Sequence, residues 1–154
     1  MNKQSGFTLV EILIVIFIIG LLSSIVLVGL GSFRARGRDA RRIADLHSIQ
    51  NALELYFAKE GIYPTINASS QSSWRAFADT LINSGIGVNV MPNDPASSAS
   101  KFYKYGVSPD GLSYVLGATL EDTNNPVLKE DIDSNVYGVD CSDSTTEANY
   151  CVQF

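Results

Sequence analysis

Hydrophobic positions divide the chain into three regimes. From Phe7 to Gly31 the chain is apolar without a period: 25 residues carry a single charge, Glu11. From Ser32 to Lys59 the apolar residues fall on one stripe, Ile43, Leu46, Ile49, Leu53 and Phe57, spaced 3, 3, 4 and 4 apart. That spacing is one face of an amphipathic helix. No proline occurs between Met1 and Lys59, and Gly61 followed by Pro64 ends the pattern. The two regimes together predict one helix from Phe7 to about Lys59, near 80 Å long at about 1.5 Å per residue. Its second half packs on a head. Its first half is apolar all round and long enough to cross a bilayer about 30 Å thick.

The third regime is mixed. Gly61-Ile62-Tyr63-Pro64-Thr65 opens a connection, and Asn67–Ser73 is a Ser-rich loop containing the glycosylation sequon Asn67-Ala68-Ser69. Trp74, Phe77, Ala78, Leu81 and Ile82 predict a short second helix, capped by Ser72 or Ser73, with Trp74 and Phe77 in the core. Gly85-Ile86-Gly87 ends it, Met91–Pro95 is a rigid turn, and Ala96–Ser100 is a loop. Strand formers then take over. Phe102–Val107 and Ser113–Leu120 flank Pro109-Asp110-Gly111 and predict an antiparallel hairpin. Val136–Val139 predicts a third strand leading into the Cys141–Cys151 segment. The expected class is α+β, a long N-terminal helix on a small antiparallel sheet.

Composition refines this. The 154 residues suggest one domain plus an appendage, and the net charge of −5 is unevenly spread. Arg34, Arg36, Arg38, Arg41 and Arg42 follow the apolar run, with Asp39 and Asp45 as partners on the same helix. From Tyr105 to Phe154 there are nine acids and one base, Lys129, which argues against a nucleic-acid-binding head. The two cysteines, Cys141 and Cys151, have no histidine near them and no CxxC spacing. In an exported protein they read as a disulfide, in a cytosolic one as two thiols.

Glu11 is the anomaly. An acid inside a membrane segment is expensive and functional by default. Lys3 followed by Gly6-Phe7-Thr8-Leu9-Val10-Glu11 resembles the class III leader junction of type IV pilins and type II secretion pseudopilins. That resemblance implies a pilin-like fold with four parts: leader 1–6, transmembrane and filament-core helix 7–31, amphipathic helix 32–60, and globular head 61–154 with a C-terminal disulfide loop. It implies cleavage after Gly6 by a prepilin peptidase, N-methylation of Phe7, and Glu11 as the residue that guides assembly. The implied partners are identical subunits, an inner-membrane assembly platform, and membrane lipid before assembly. The precursor would sit in the inner membrane and end in a cell-surface filament. A buried Glu11 needs a cation, and the freed Phe7 amine of the same or a neighbouring subunit supplies one.

Gly61–Thr65 and Asn93-Asp94-Pro95 also look like the corresponding segments of major pseudopilins, whereas a C-terminal cysteine pair is commoner in pilins. The expectation is a type IV pilus subunit, with the major pseudopilin of a type II secretion system as the alternative and a monomeric membrane-anchored binding module as a remote one. Many family members have a proline late in the apolar run. This chain has Gly20, Ser23, Ser24, Gly29 and Gly31 there instead, which makes Gly20–Gly29 the expected weak part of the helix in a filament.

Little else carries chemistry. His47 is the only histidine and lies beside core position Leu46. There is no phosphate loop, nucleophile elbow or zinc motif, so no enzyme is expected. Asp131, Asp133 and Asp140 are weak calcium candidates, but the sixth position of that stretch is Val136 and the twelfth Ser142, which no EF-hand accepts. No metal and no cofactor is expected.

Overall fold

Helix α1 spans Leu9–Glu60 without interruption, as the joined apolar and amphipathic regimes predict. The computed structural model describes residues 7–96 and 101–154, with the backbone alone of 25–30. The leader with Gly6, and Ser97–Ser100 of the predicted loop, lie outside the described residues. The chain forms two compact units, Met1–Ala35 and Arg36–Phe154. Among the described residues no helix is long and apolar enough to cross a membrane. The side chains of 25–30, within the apolar run, fall outside that description.

In the second unit the helical stripe does what its spacing dictates. Leu46, Ile49 and Leu53 are fully buried, and Ile43 and Phe57 pack at the edge of the same core. Helix α2 spans Gln71–Asn83 and adds Trp74, Phe77 and Leu81. Its cap is Ser70, two or three residues before the predicted one. The Ser70 hydroxyl accepts from the Ser73 N–H and the Ser73 hydroxyl answers the Ser70 N–H, a reciprocal capping box.

The sheet has the order β1 (Lys104–Val107), β2 (Tyr114–Leu120), β5 (Ala148–Gln153), all antiparallel. The hairpin turns at Gly111 with a positive φ of 71°. The expected third strand at Val136–Val139 is instead a miniature hairpin, β3 (Asn135–Val136) and β4 (Val139–Asp140). Tyr137 and Gly138 at its tip have φ of 49° and 81°, the primed-turn geometry that closes a two-residue loop. The real third strand is β5, within and beyond the predicted disulfide loop. Cys141 and Cys151 are bonded, with Cα atoms 5.7 Å apart, and tie the small hairpin to the main sheet. Gly106 is required under that hairpin: a Cβ there would meet the Tyr137 carbonyl oxygen at 2.7 Å.

An aromatic layer fills the space between helices and sheet. Phe77 stacks on Tyr105 at 4.2 Å, and Tyr63 meets Tyr114 edge-on at 4.6 Å. Their hydroxyls are used. Tyr63 donates to Glu54 Oε1 (3.0 Å), Tyr103 to Asp45 Oδ2 (2.7 Å) and Tyr105 to the Pro64 carbonyl (2.9 Å). Gly61–Thr65 is thus a structural connection, with Tyr63 plugged into the core.

The arginine collar is largely satisfied within the chain. Arg42 is fully buried. Its Nε and Nη2 donate to Asp94 (2.7 and 2.9 Å), and its Nη1 to Asp39 (2.6 Å) and Glu121 (2.9 Å). Asp39 also accepts the backbone N–H groups of Glu121 and Asp122, just past β2. Arg38 adds a two-pronged pair to Glu121. One cluster therefore fastens α1 to the Asn93–Pro95 turn and to the exit of β2. Asp39 was an expected partner, while Asp94 and Glu121 were not.

Removing one side of a buried ion cluster strands the others. Arg42→Ala is expected to lower stability by about 3–5 kcal/mol, read as the denaturation midpoint of the detergent-solubilised chain. A loss under about 1 kcal/mol, the size of a surface pair, would contradict the cluster. The cluster also sets acid stability. The Arg38 hydrogen bond, opposed by burial and aided by Arg42, holds the Glu121 carboxyl down at about 2 from an ordinary 4.5. A lowered folded pKa gives stability that is present above 4.5 and lost as pH falls toward 2. Glu121→Gln should flatten that part of the stability–pH curve. An unchanged slope would overturn the assignment.

Candidate functional site

Two places carry the residues that the sequence singles out. The first is the start of α1. Thr8 is the cap residue and Glu11 stands three positions on, the spacing of a Thr-x-x-Glu capping box. The Glu11 N–H donates to Thr8 Oγ1 (3.3 Å). Glu11 Oε2 accepts from the Thr8 N–H (2.8 Å) and from the Thr8 hydroxyl (2.7 Å). The carboxylate thus sits at the positive end of the helix and answers a backbone donor that the helix leaves orphaned. The Thr8-Leu9-Val10-Glu11 spacing carries this box in the sequence itself.

Around that carboxylate the surface is apolar and bare. Phe7 is 85% exposed, Leu9 79% and Phe17 67%, and every large apolar residue from Leu9 to Leu22 is at least half exposed. Phe7, Leu9, Ile12, Leu13 and Ile16 line one shallow groove beside Thr8. Contiguous exposed apolar area on this scale marks a surface made for lipid or protein. Gly6 and the cleavage itself lie outside the described residues. Phe7 is described and exposed.

The second place is acidic. Asp131, Asp133 and Asp143 bring carboxylate oxygens within 4.8 Å of one another. Two of the weak calcium candidates, Asp131 and Asp133, are thus neighbours. The third, Asp140, is not in the cluster: its Oδ1 accepts the Ser142 N–H (3.0 Å) in a local turn. Asp143 takes its place because the chain doubles back inside the disulfide loop. An all-oxygen set suits a hard cation, but oxygens are already committed. Asp131 Oδ2 accepts from the Cys151 N–H and Asp143 Oδ1 from the Asn149 N–H. Burial pushes the Asp131 carboxyl up, with Asp143 and Asp133 adding to it. His47 is exposed, with Nδ1 against Gln50 Oε1 at 2.9 Å, and borders a groove that Glu130 and Asp131 also line.

Known proteins resemble this chain in sequence. The family model described as the prokaryotic N-terminal methylation motif matches residues 1–27. A type II secretion system core protein G from Aeromonas hydrophila is 29% identical over 139 residues, 84% of this chain and 96% of that protein. The core protein G of Escherichia coli K12 is 38% identical over 71 residues, 46% of this chain, which spans about half (49%) of that relative's length. The type IV major pilin protein PilE of Neisseria gonorrhoeae is 34% identical over 67 residues, 44% of this chain and 40% of that protein. No solved structure matches. With a methylation-motif N-terminus, a long capped helix and a small antiparallel sheet closed by a C-terminal disulfide, the chain has a pilin-like α+β fold and is similar in sequence to type IV pilins and type II secretion pseudopilins.

Proposed function

We propose that this chain is a structural subunit, not an enzyme, and that it polymerises through residues 7–60 after cleavage between Gly6 and Phe7 and N-methylation of Phe7. The observation that carries the reading is the bare apolar surface from Phe7 to Leu22 with one carboxylate at its head. Such a surface needs lipid first and sister helices afterwards. Before cleavage Glu11 is satisfied by Thr8. Cleavage makes an ammonium at Phe7 beside it, and the same carboxylate can then pair with a neighbour's amine and set axial register. The partners of this cycle are a prepilin peptidase, the membrane, an inner-membrane assembly platform and identical subunits.

Within the family the favoured reading is the major pseudopilin of a type II secretion system. This reverses the order expected from the sequence, where the pilus subunit came first. The alignment with an Aeromonas core protein G runs along 84% of this chain, whereas the pilin match covers 44%. The pilus reading keeps one observation in its favour, the Cys141–Cys151 bond.

Glu11→Ala should abolish polymer while the protein still reaches the membrane and the disulfide still forms. Polymer formed as usual would sink the assembly role of Glu11, and a monomeric anchor would show no effect at all. Deleting the gene separates the two readings. Loss of secreted folded proteins with no loss of long surface filaments is the pseudopilin result, and the opposite pattern is the pilus result.

A further inference from the structure

The three-stranded sheet has two edges, β1 and β5. An open edge is a row of unpaired backbone groups that invites another strand. The register shows which groups point outward. Tyr114 and Phe154 exchange both backbone bonds (3.1 and 3.0 Å), so alternation turns the N–H groups of Asn149, Cys151 and Gln153 away from β2. On the other side the Ser108 N–H donates to the Ser113 carbonyl (2.9 Å), which turns Tyr105 and Val107 outward.

The two edges are closed differently. At β1, the Tyr105 N–H donates to the Ala68 carbonyl (3.0 Å) and the Val107 N–H to Asn67 Oδ1 (3.1 Å). A stretch of this chain covers that edge. At β5 the acceptors are carboxylates. The Asn149 N–H donates to Asp143 Oδ1 (2.8 Å) and the Cys151 N–H to Asp131 Oδ2 (2.9 Å). No strand covers β5 among the described residues. A groove of about 450 Å³ lies beside Tyr150–Gln153, with Val127, Glu130 and Ile132 also in its lining. Space remains next to the strand, while its donors are taken by side chains.

We propose that Asp131 and Asp143 are stoppers that keep the β5 edge of one copy from pairing with the β5 edge of a second copy. Like edges are self-complementary when they pair antiparallel about Cys151, because Asn149 of each copy then faces Gln153 of the other. The β1 edge is no competitor, since Ala68 already occupies it. The stoppers act twice. Each oxygen fills a donor that an incoming strand would need, and each charge repels the same charge on an approaching copy. A polymer joined through residues 7–60 crowds its heads, which gives the stoppers a purpose. That purpose rests on the polymer reading above, and the edge chemistry does not.

The test uses the full chain with Glu11→Ala in detergent micelles, where polymerisation through α1 is removed and the disulfide is kept. Adding Asp131→Ala/Asp143→Ala should make the chain dimerise at least about tenfold more tightly in sedimentation. Hydrogen exchange locates the contact. The Asn149 and Cys151 amides should exchange at least about tenfold faster in the dilute alanine variant. Their protection, with that of Gln153, should return as the dimer forms. Asp131→Asn/Asp143→Asn keeps an oxygen acceptor at each place and should stay monomeric. A folded alanine variant that stays monomeric, or that associates without protecting these amides, overturns the proposal. Dimerisation of the asparagine variant as tight as that of the alanine variant also overturns it. If the double alanine variant fails to form its disulfide, Asp143→Ala alone frees the Asn149 donor from an exposed side chain. Dimerisation no tighter than in the parent then overturns the proposal. Absence of polymer from the chain with Glu11 intact fails the polymer reading alone and leaves these outcomes standing.

Discussion

The Arg42 cluster is the constraint on which the head depends. A guanidinium with no exposure has to be met on every donor edge, and Arg42 is met by three carboxylates from three separate parts of the chain. Asp39 lies one turn back on α1, Asp94 in the turn after α2, and Glu121 just past β2. Apolar packing of Leu46, Ile49 and Leu53 is non-directional and would tolerate sliding of the sheet along the helix. The ion cluster does not tolerate it, because Asp39 also caps the backbone N–H groups that leave β2. Register between helix and sheet is therefore set by geometry at the charged end and by volume elsewhere.

That cluster also changes what the basic collar means. Five arginines after an apolar run look like a topology signal that would keep the head in the cytoplasm, against the expected cell-surface filament. Arg38 and Arg42 are spent inside the head, and Arg36 and Arg41 lie 3.6 and 3.7 Å from Asp122 and Asp45. These four arginines thus have partners in the fold itself, whatever their bearing on topology.

Much of this was legible in the sequence, and the parts that were not share a cause. The α1 stripe, the core role of Trp74 and Phe77, and the β1–β2 hairpin all follow from local period and turn residues. Strand β5 did not, because Ala148, Asn149, Tyr150 and Cys151 are all buried. One face of β5 joins the core under the helices and the other the Cys141, Val115 and Val139 cluster. A strand buried on both sides loses its alternation, and two of these residues are a polar amide and a cysteine. The partners of Arg42 were invisible for another reason: Asp94 and Glu121 are 52 and 79 residues away in sequence. At the candidate site, Asp143 replaced Asp140 because a disulfide and a two-residue turn decide which acids of a loop face one another.

The capping box gives the N-terminus a physical sequence of states. A carboxylate on a helix bound for lipid is tolerable only if its charge is answered. Thr8 answers it within one turn, at no distance from the chain itself. This pairing asks nothing of a neighbour, so it cannot choose between isolated and assembled subunits. In the proposed cycle, freeing an ammonium at Phe7 changes that. A full charge outcompetes a backbone amide for the same oxygen, and a neighbour's ammonium is as good a partner as its own. In that reading, the step that makes Glu11 informative about other subunits is the cleavage, not the membrane. Until then, the box keeps the helix start intact and the carboxylate occupied.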